Sequence, residues 1–178
     1  MVSDLPVVDP AEAVPALLRL REQLEAALFR ECARTYGERL LALAGYGSVA
    51  RGKFGTLSDF DFILGLDPWQ GEPRKRWEEF RPIERALEGE IAACHAGGWE
   101  VRLSPVFKSR AAIEFGSPLF LDMVEDGRIL FDRDGLLVRR LDLMRARMRR
   151  LGSQRVWEGE SWYWDLKPDW KPGDVIEL

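Results

Sequence analysis

Two aspartates separated by a single residue follow a glycine-serine pair, and these residue types together suit the chemistry of phosphate groups. The stretch from residue 45 to residue 66 reads GYGSVARGKFGTLSDFDFILGL and contains Gly47, Ser48, Asp59 and Asp61. Side chains alternate across a β-strand, so the two aspartates are expected on one face and the neighbouring phenylalanines on the other. Two carboxylates this close repel each other unless a cation neutralises them. A hard divalent cation such as Mg²⁺ prefers oxygen ligands of this kind.

The glycine-serine pair lies at a predicted turn from a strand into a short helix. Glycine lets the backbone approach a ligand closely, and the free N–H groups at a helix start bind phosphate oxygens. Gly47 and Ser48 would therefore bind phosphate beside a metal held by Asp59 and Asp61. Metal and phosphate sites converge on one stretch, as binding of a nucleoside triphosphate requires.

Other catalytic chemistries are disfavoured by the composition. The two cysteines, Cys32 and Cys94, are far apart and have no CxxC spacing, and the chain has one histidine, His95. One histidine cannot by itself build a zinc site or a Ser-His-Asp relay. Cys94 and His95 are adjacent, and neighbours on a helix point in different directions, so we do not assign them as nucleophile and base.

Length and composition indicate one hydrophobic core. The 178 residues are 46% hydrophobic and 31% charged, which is ordinary for a globular domain and short for two cores. We expect one domain over residues 1–134, with a C-terminal segment over residues 135–178 packed on it. The sequence has neither a basic leader nor an apolar run of the roughly 18 residues that a membrane helix needs, so we expect a cytoplasmic protein.

Hydrophobic periodicity predicts helices and strands that position the glycines and aspartates. A first helix ends at Tyr36, with Arg21 and Glu25 expected in solvent. It begins either near a cap at Asp9 or, because proline removes a backbone donor, at Pro15. The remaining predicted elements are strands over 40–44 and 61–66, a long helix over 74–96, a strand over 99–107, a short helix over 117–126, a strand over 128–131, a helix over 137–151, and an aromatic-rich strand and turn from residue 154.

The glycine and aspartate elements carry a resemblance to a known family. GSVARG at residues 47–52, followed after five residues by SDFD at residues 58–61, is similar to the signature of the DNA polymerase β-like nucleotidyltransferase superfamily, in particular its small bacterial and archaeal members. The order of predicted elements extends the likeness to about residue 132. The fold that this resemblance implies is α/β (α+β), a palm-like small mixed β-sheet backed by helices. An aromatic-rich C-terminal extension would follow it.

The resemblance implies transfer of a nucleoside monophosphate from an NTP, with ATP expected, to a hydroxyl group with release of pyrophosphate. Asp59 and Asp61 would hold two Mg²⁺ ions at the α-phosphate. Gly47 and Ser48 would hold the β and γ phosphates, and Ser58 is assigned to the same nucleotide site.

The family also uses a third carboxylate on a later strand beside the aspartate pair, and here the sequence departs from the pattern. The predicted third strand offers Glu100, followed by Arg102 and Ser104, where the family places an acid. We assign Glu100 as the candidate third metal ligand, on which two-metal catalysis depends.

Two roles are considered for Arg51 of the signature. Arg51 in the signature would either neutralise developing charge or pin the loop through a structural pair.

From residue 139 to residue 155, seven arginines accompany one acid, so this stretch carries a charge of +6 and the remainder −10. We interpret the stretch as a solvated outer face over an apolar stripe and expect no nucleic acid partner.

The C-terminal aromatic residues could stack on a base or substrate ring, although packing in the core or at an interface is the preferred interpretation. They include Trp162 and Trp164. The acids of the short helix before them, Asp122, Glu125 and Asp126, are expected to face solvent.

Two functions of different classes follow. The leading one is a metal-dependent nucleotidyltransferase acting on a hydroxyl of a small molecule or of a protein. Some relatives in the family modify aminoglycosides, and others adenylylate a partner as antitoxins paired with a helical toxin, so a helical toxin-like partner is also considered. The alternative is a module that binds a nucleotide or a partner protein and catalyses little, which the weak third carboxylate suggests.

Overall fold

A computed structural model describes residues 10–53, 58–68, 72–159 and 161–176 of the chain. Short 3₁₀ turns lie at Gly37–Arg39 and Arg133–Gly135. The helices and strands of these ranges are α1 Pro10–Tyr36, β1 Leu40–Tyr46, α2 Gly47–Ala50, β2 Phe60–Leu66, α3 Pro73–Ala86, α4 Glu88–Ala96, β3 Leu103–Ser109, α5 Arg110–Phe115, α6 Leu119–Asp126, β4 Arg128–Asp132, α7 Leu136–Leu151, β5 Gln154–Glu158 and β6 Ser161–Asp165.

The main sheet has four strands in the order β3-β2-β1-β4. Strand β1 is antiparallel to both β2 and β4, whereas β2 and β3 are parallel. Helices cover both faces of this sheet, so the prediction of a small mixed sheet backed by helices is confirmed. Strands β5 and β6 form a separate antiparallel hairpin, as expected for the aromatic-rich C-terminal segment.

Each face of the sheet has its own hydrophobic core. On one face, Phe60 and Phe62 of β2 are fully buried against α1, α3 and α4. On the other face, Ile63 is buried with apolar residues of α5, α6 and α7. Since side chains alternate along a strand, Asp61 shares the face of Ile63, opposite the two phenylalanines. This agrees with the predicted alternation at Asp61.

The structure agrees with the earlier of the two starts considered for the first helix and corrects the bounds of another helix. Helix α1 starts at Pro10 and continues through Pro15, because a proline this close to the start removes only one intrahelical bond. The long helix predicted over 74–96 is instead two helices, α3 and α4, separated at Leu87. The backbone of Leu87 leaves the helical region, with φ −97° and ψ 4°, while its side chain is fully buried. A break of one residue barely alters the apolar spacing, so periodicity could not reveal it.

The third strand begins later than predicted, at Leu103. Trp99 and Val101 are buried and alternate with the exposed Glu100 and Arg102, as in an extended chain. However, β2 begins at Phe60, which lies opposite Leu103, so the earlier residues precede the paired part of the two strands. The actual strand includes Pro105, which an edge strand tolerates.

Helix α5 was not predicted. Its first turn is capped by the Ser109 hydroxyl, which accepts a hydrogen bond from the Ala112 N–H at 3.1 Å. Serine in this position is a common helix start signal, although the helix is too short for periodicity to indicate. Among the helices in the described ranges, none is long and apolar enough to cross a membrane.

Candidate functional site

The glycine-serine turn lies directly against the aspartate strand. Gly47 opens α2 with φ +79°, a conformation that favours glycine. A Cβ atom on this residue would lie 2.8 Å from Oδ2 of Asp61, so a side chain here would displace the carboxylate. The turn is closed by the Lys53 N–H, which donates to the Ser48 carbonyl at 2.9 Å. The Asp61 carboxylate therefore lies against Gly47, in the space that a side chain at this position would occupy.

Asp61 is a partly buried carboxylate with a perturbed titration. Burial raises its pKa, the Ser104 hydroxyl lowers it by hydrogen bonding, and the negative charge of Asp59 raises it again. Tyr46 pairs with Asp61 across β1 and β2, and burial together with the Asp61 charge raises the pKa of this tyrosine to about 12. A cation at Asp61 would offset both the burial and the repulsion from Asp59.

Asp59 precedes β2 and lies beside Arg102. Its Oδ1 lies 3.3 Å from Nε of Arg102, in an ion pair whose side chains are 45% and 77% exposed. The same Oδ1 atom is buried and accepts no hydrogen bond from the residues that the structure describes. Because an exposed ion pair contributes little, Asp59 keeps the capacity to bind a cation.

Glu100 is not brought together with the aspartate pair. It is exposed and precedes β3, whereas the residue in register with Asp61 on the parallel strand is Ser104. Within the described ranges, no three His, Cys, Asp or Glu side chains form a group that could hold a metal. The assignment of Glu100 as third metal ligand is thus unsupported by the geometry. Ser104 and Arg102 instead flank the two aspartates.

The side chains present fit one hard cation and not two. Two carboxylates with water and phosphate oxygens can complete the shell of a single Mg²⁺ ion. The unsatisfied Oδ1 of Asp59 and the raised pKa of Asp61 both favour a cation there. A second ion would need a further acid, and the neighbouring positions hold a hydroxyl at Ser104 and a positive charge at Arg102.

Arg51 belongs to a structural cluster at the C-terminal hairpin. Its Nη1 lies 3.5 Å from Oδ2 of Asp126, and its guanidinium packs over the Trp162 ring at 4.4 Å from the centroid. Arg155 joins the cluster through an Nη2 contact of 2.9 Å to the same Oδ2. Of the two roles considered for Arg51, the structure therefore favours the structural pair over a phosphate contact.

The acids of α6 bind the hairpin and do not simply face solvent, in contrast to the sequence prediction. The Nε1 atoms of Trp162 and Trp164 donate to Oδ1 of Asp122 at 3.3 and 2.8 Å. Asp126 pairs with the two arginines of the cluster. The preferred interpretation of these two tryptophans as packing residues agrees with these contacts, while Tyr163 is half exposed.

Ser58 holds the loop in front of the aspartates. Its carbonyl accepts a hydrogen bond from Nε1 of the buried Trp99 at 2.7 Å. The Phe60 N–H donates to the Arg102 carbonyl at 2.8 Å, which fixes the chain two residues later. The backbone of Ser58 therefore anchors this loop to Trp99.

Sequence reasoning missed a buried ionic network behind the glycine turn. Arg21 of α1, which was expected in solvent, is 5% exposed, and its Nη1 donates to the carbonyls of Val49 at 3.1 Å and Ala50 at 3.4 Å. Glu25 lies 3.7 Å from Arg21 and receives two 2.8 Å hydrogen bonds from Arg128. Burial, and then the Arg128 charge, lowers the pKa of Arg21. The i, i+4 spacing of Arg21 and Glu25 was the available signal.

The Cys94-His95 pair has no nucleophile geometry. Cys94 is buried, and burial raises its thiol pKa to about 11. The Nε2 atom of His95 is 3.1 Å from the Val101 carbonyl. The thiol therefore stays protonated near neutral pH.

Comparison with known proteins gives distant structural likenesses. No protein-family profile matches the sequence, and no curated protein matches it significantly. The crystal structure of a toxin-antitoxin with AMP-PNP shares 16% identity at a TM-score of 0.43, covering 72% of this chain and 92% of that one. The toxin-antitoxin MntA-HepT shares 15% identity at a TM-score of 0.40, covering 74% and 92%. At these identities and scores, the likenesses do not assign the chain to a family.

Proposed function

We propose that this chain is a nucleotidyltransferase that moves a nucleoside monophosphate from an NTP, with ATP expected, to a hydroxyl of a small molecule or a protein, and releases pyrophosphate. The observation that carries this proposal is the contact between the Gly47 turn and the Asp61 carboxylate. A backbone turn suited to phosphate and a carboxylate pair suited to a cation are adjacent there, as the signature at residues 47–61 implies.

Each residue would have a distinct part in this reaction. Gly47 and Ser48 would orient the β and γ phosphates through backbone N–H groups and the Ser48 hydroxyl. Asp59 and Asp61 would hold one Mg²⁺ ion, which when bound supplies charge neutralisation at the α-phosphate. Arg102, beside Asp59, carries a positive charge that would partly balance the developing negative charge.

The test is transfer of label from α-labelled NTPs in the presence of Mg²⁺, with and without the product of the neighbouring gene as acceptor. Asp61→Asn and Asp59→Asn should each reduce the rate of label transfer by at least about a hundredfold, because each removes one of the two carboxylates that would bind the cation. Asp67→Asn is the matched control, since Asp67 lies just beyond the other end of β2 and pairs with Arg110 at 3.0 Å. Undiminished transfer by Asp61→Asn would exclude the proposed site.

A second candidate function is favoured by Ser104 and Arg102 at the flanks of the pair. In that case the chain binds a nucleotide, or a partner protein such as a helical toxin, without transferring anything. Tight binding of a non-hydrolysable ATP analogue without label transfer to any acceptor would support it.

Ser104→Asp separates the two candidates further. It would place a carboxylate in register with Asp61 on the parallel strand and create the third acid. If the chain is a binding module, Ser104→Asp should increase its Mg²⁺ affinity and give measurable transfer. If the chain is already an enzyme that uses one cation, Ser104→Asp should change its activity little or lower it. Ser104→Asn, which adds similar bulk without charge, is the control.

A further inference from the structure

A cavity of about 550 Å³ lies between α5, α6 and α7, apart from the residues assigned to the nucleotide. Its apolar walls come from Phe115, Leu121, Met144 and Leu166. The volume is within the range of small-molecule pockets, roughly 300–1,000 Å³. Phe115 is 88% exposed at the edge of this cavity, which leaves a large aromatic ring available to a ligand.

Two arginines of α7 contribute the charge of this cavity. Arg140 and Arg147 are seven residues apart, or about two helical turns, so both lie on the same side of the helix. Arg140 is only 7% exposed, and its Nη2 donates to the Phe115 carbonyl at 3.1 Å. Gly116, with φ +98°, allows this approach, since a Cβ atom there would overlap the guanidinium.

The charged side chains of the lining are basic. Among the described residues that line the cavity, two are arginines and none is an aspartate or glutamate. Lys108 adds a third cation nearby, because its Nζ donates to the Ser117 hydroxyl at 3.3 Å. Burial lowers the pKa of Arg140, and the charge of Arg147 lowers it further. An anion bound beside these guanidinium groups would offset the cost of burial and of their mutual repulsion.

We propose that this cavity binds a small amphipathic carboxylic acid, with the carboxylate at Arg140 and Arg147 and an aromatic or aliphatic body against Leu121, Met144 and Leu166. The planar guanidinium group matches a carboxylate in two parallel hydrogen bonds. The apolar walls give the body of the ligand a place out of water. This site is independent of the proposed nucleotidyl transfer.

The experiment uses the full chain with 8-anilinonaphthalene-1-sulfonate as a fluorescent anionic probe and 4-phenylbutyrate as competitor. The probe should bind saturably at one site, and 4-phenylbutyrate should displace it. The uncharged 4-phenylbutan-1-ol should displace it about tenfold less well, because it lacks the charge that the arginines bind.

Arg147→Gln should weaken 4-phenylbutyrate binding about tenfold, whereas Arg149→Gln should leave it unchanged. Arg149→Gln is the control, because it removes the same charge from the same helix at an exposed position outside this cavity. Leu121→Trp fills the cavity from its wall without altering a charge and should abolish saturable binding of the probe. Leu121→Trp tests the binding site independently of Arg147→Gln, in case Arg147→Gln lowers the unfolding midpoint.

Three results would overturn the proposal. These are the lack of saturable probe binding by the wild type, equal displacement by the acid and the alcohol, and equal weakening by Arg147→Gln and Arg149→Gln. Label transfer by Arg147→Gln should equal that of the wild type. The failure of this site would therefore be distinguishable from the failure of the proposed enzymatic function.

Discussion

Gly47 combines two constraints that are usually separate. Its φ of +79° is strained for other residues, and its missing side chain leaves room for Oδ2 of Asp61. The first constraint shapes the turn, and the second lets the carboxylate lie close against it. At the scale of single residues, this contact is the most specific feature of the candidate site.

Gly47→Ala should therefore abolish nucleotide binding as well as destabilise the fold by about 1–3 kcal/mol. The matched control is Gly52→Ala. Gly52 has a similar φ of +73°, and among the described residues its added Cβ would meet Leu18 at 3.6 Å. Gly52→Ala should cost a similar backbone strain, about 1–2 kcal/mol, and retain binding. Urea unfolding and titration with ATP measure the two effects. Equal nucleotide affinity in the two variants would contradict the role of the Gly47 contact.

At the scale of elements, α1 supports the turn from behind. Arg21 donates to the carbonyls at the end of α2, and Glu25 connects it to Arg128 of β4. Glu25 is therefore shared by two arginines, and its side chain is only 5% exposed. Removing one partner of a buried ion pair leaves a charge without compensation, which costs much more than breaking an exposed pair.

Glu25→Gln should destabilise the protein by about 3 kcal/mol, while Glu78→Gln should cost no more than about 0.5 kcal/mol. Glu78 is the matched control because it also belongs to an i, i+4 pair, with Arg74, but is 51% exposed. Chemical unfolding followed by circular dichroism gives both values. Similar losses in the two variants would show that the buried network contributes little.

At the scale of the whole molecule, one of the two cores of the sheet buries both cysteines. Cys32 and Cys94 are both free and buried in the core on the α1 side. Burial raises their pKa values to about 12 and about 11, respectively. Because these values are raised, the reactive thiolate is scarce at neutral pH and increases only as pH approaches the raised pKa.

Neither thiol should react with Ellman's reagent in the native protein at about pH 8, whereas both should react at once in concentrated urea. The native reaction rate should follow unfolding and should fall when a stabilising nucleotide is added. Cys94→Ser and Cys32→Ser identify the contribution of each thiol. Rapid reaction of either thiol without denaturant would show that the core on this face opens locally.

The mixed sheet backed by helices was implied by the resemblance of the signature to a known family. The sequence by itself determined the local features: the signature at residues 47–61, the strand face that Asp61 occupies and the apolar stripe of α7. These depend on residue type and spacing over a few turns or strands, which periodicity can detect. It also indicated the packing of the C-terminal tryptophans, but not the acids that they contact.

Only the tertiary structure decided what faces the aspartates. The parallel register of β2 and β3 sets Ser104 beside Asp61 and leaves Glu100 outside. Register between distant strands depends on all of their packing, and a shift of one residue exchanges the two faces. The pairing of Arg51 with Asp126 likewise joins residues 75 positions apart, which no local pattern could predict.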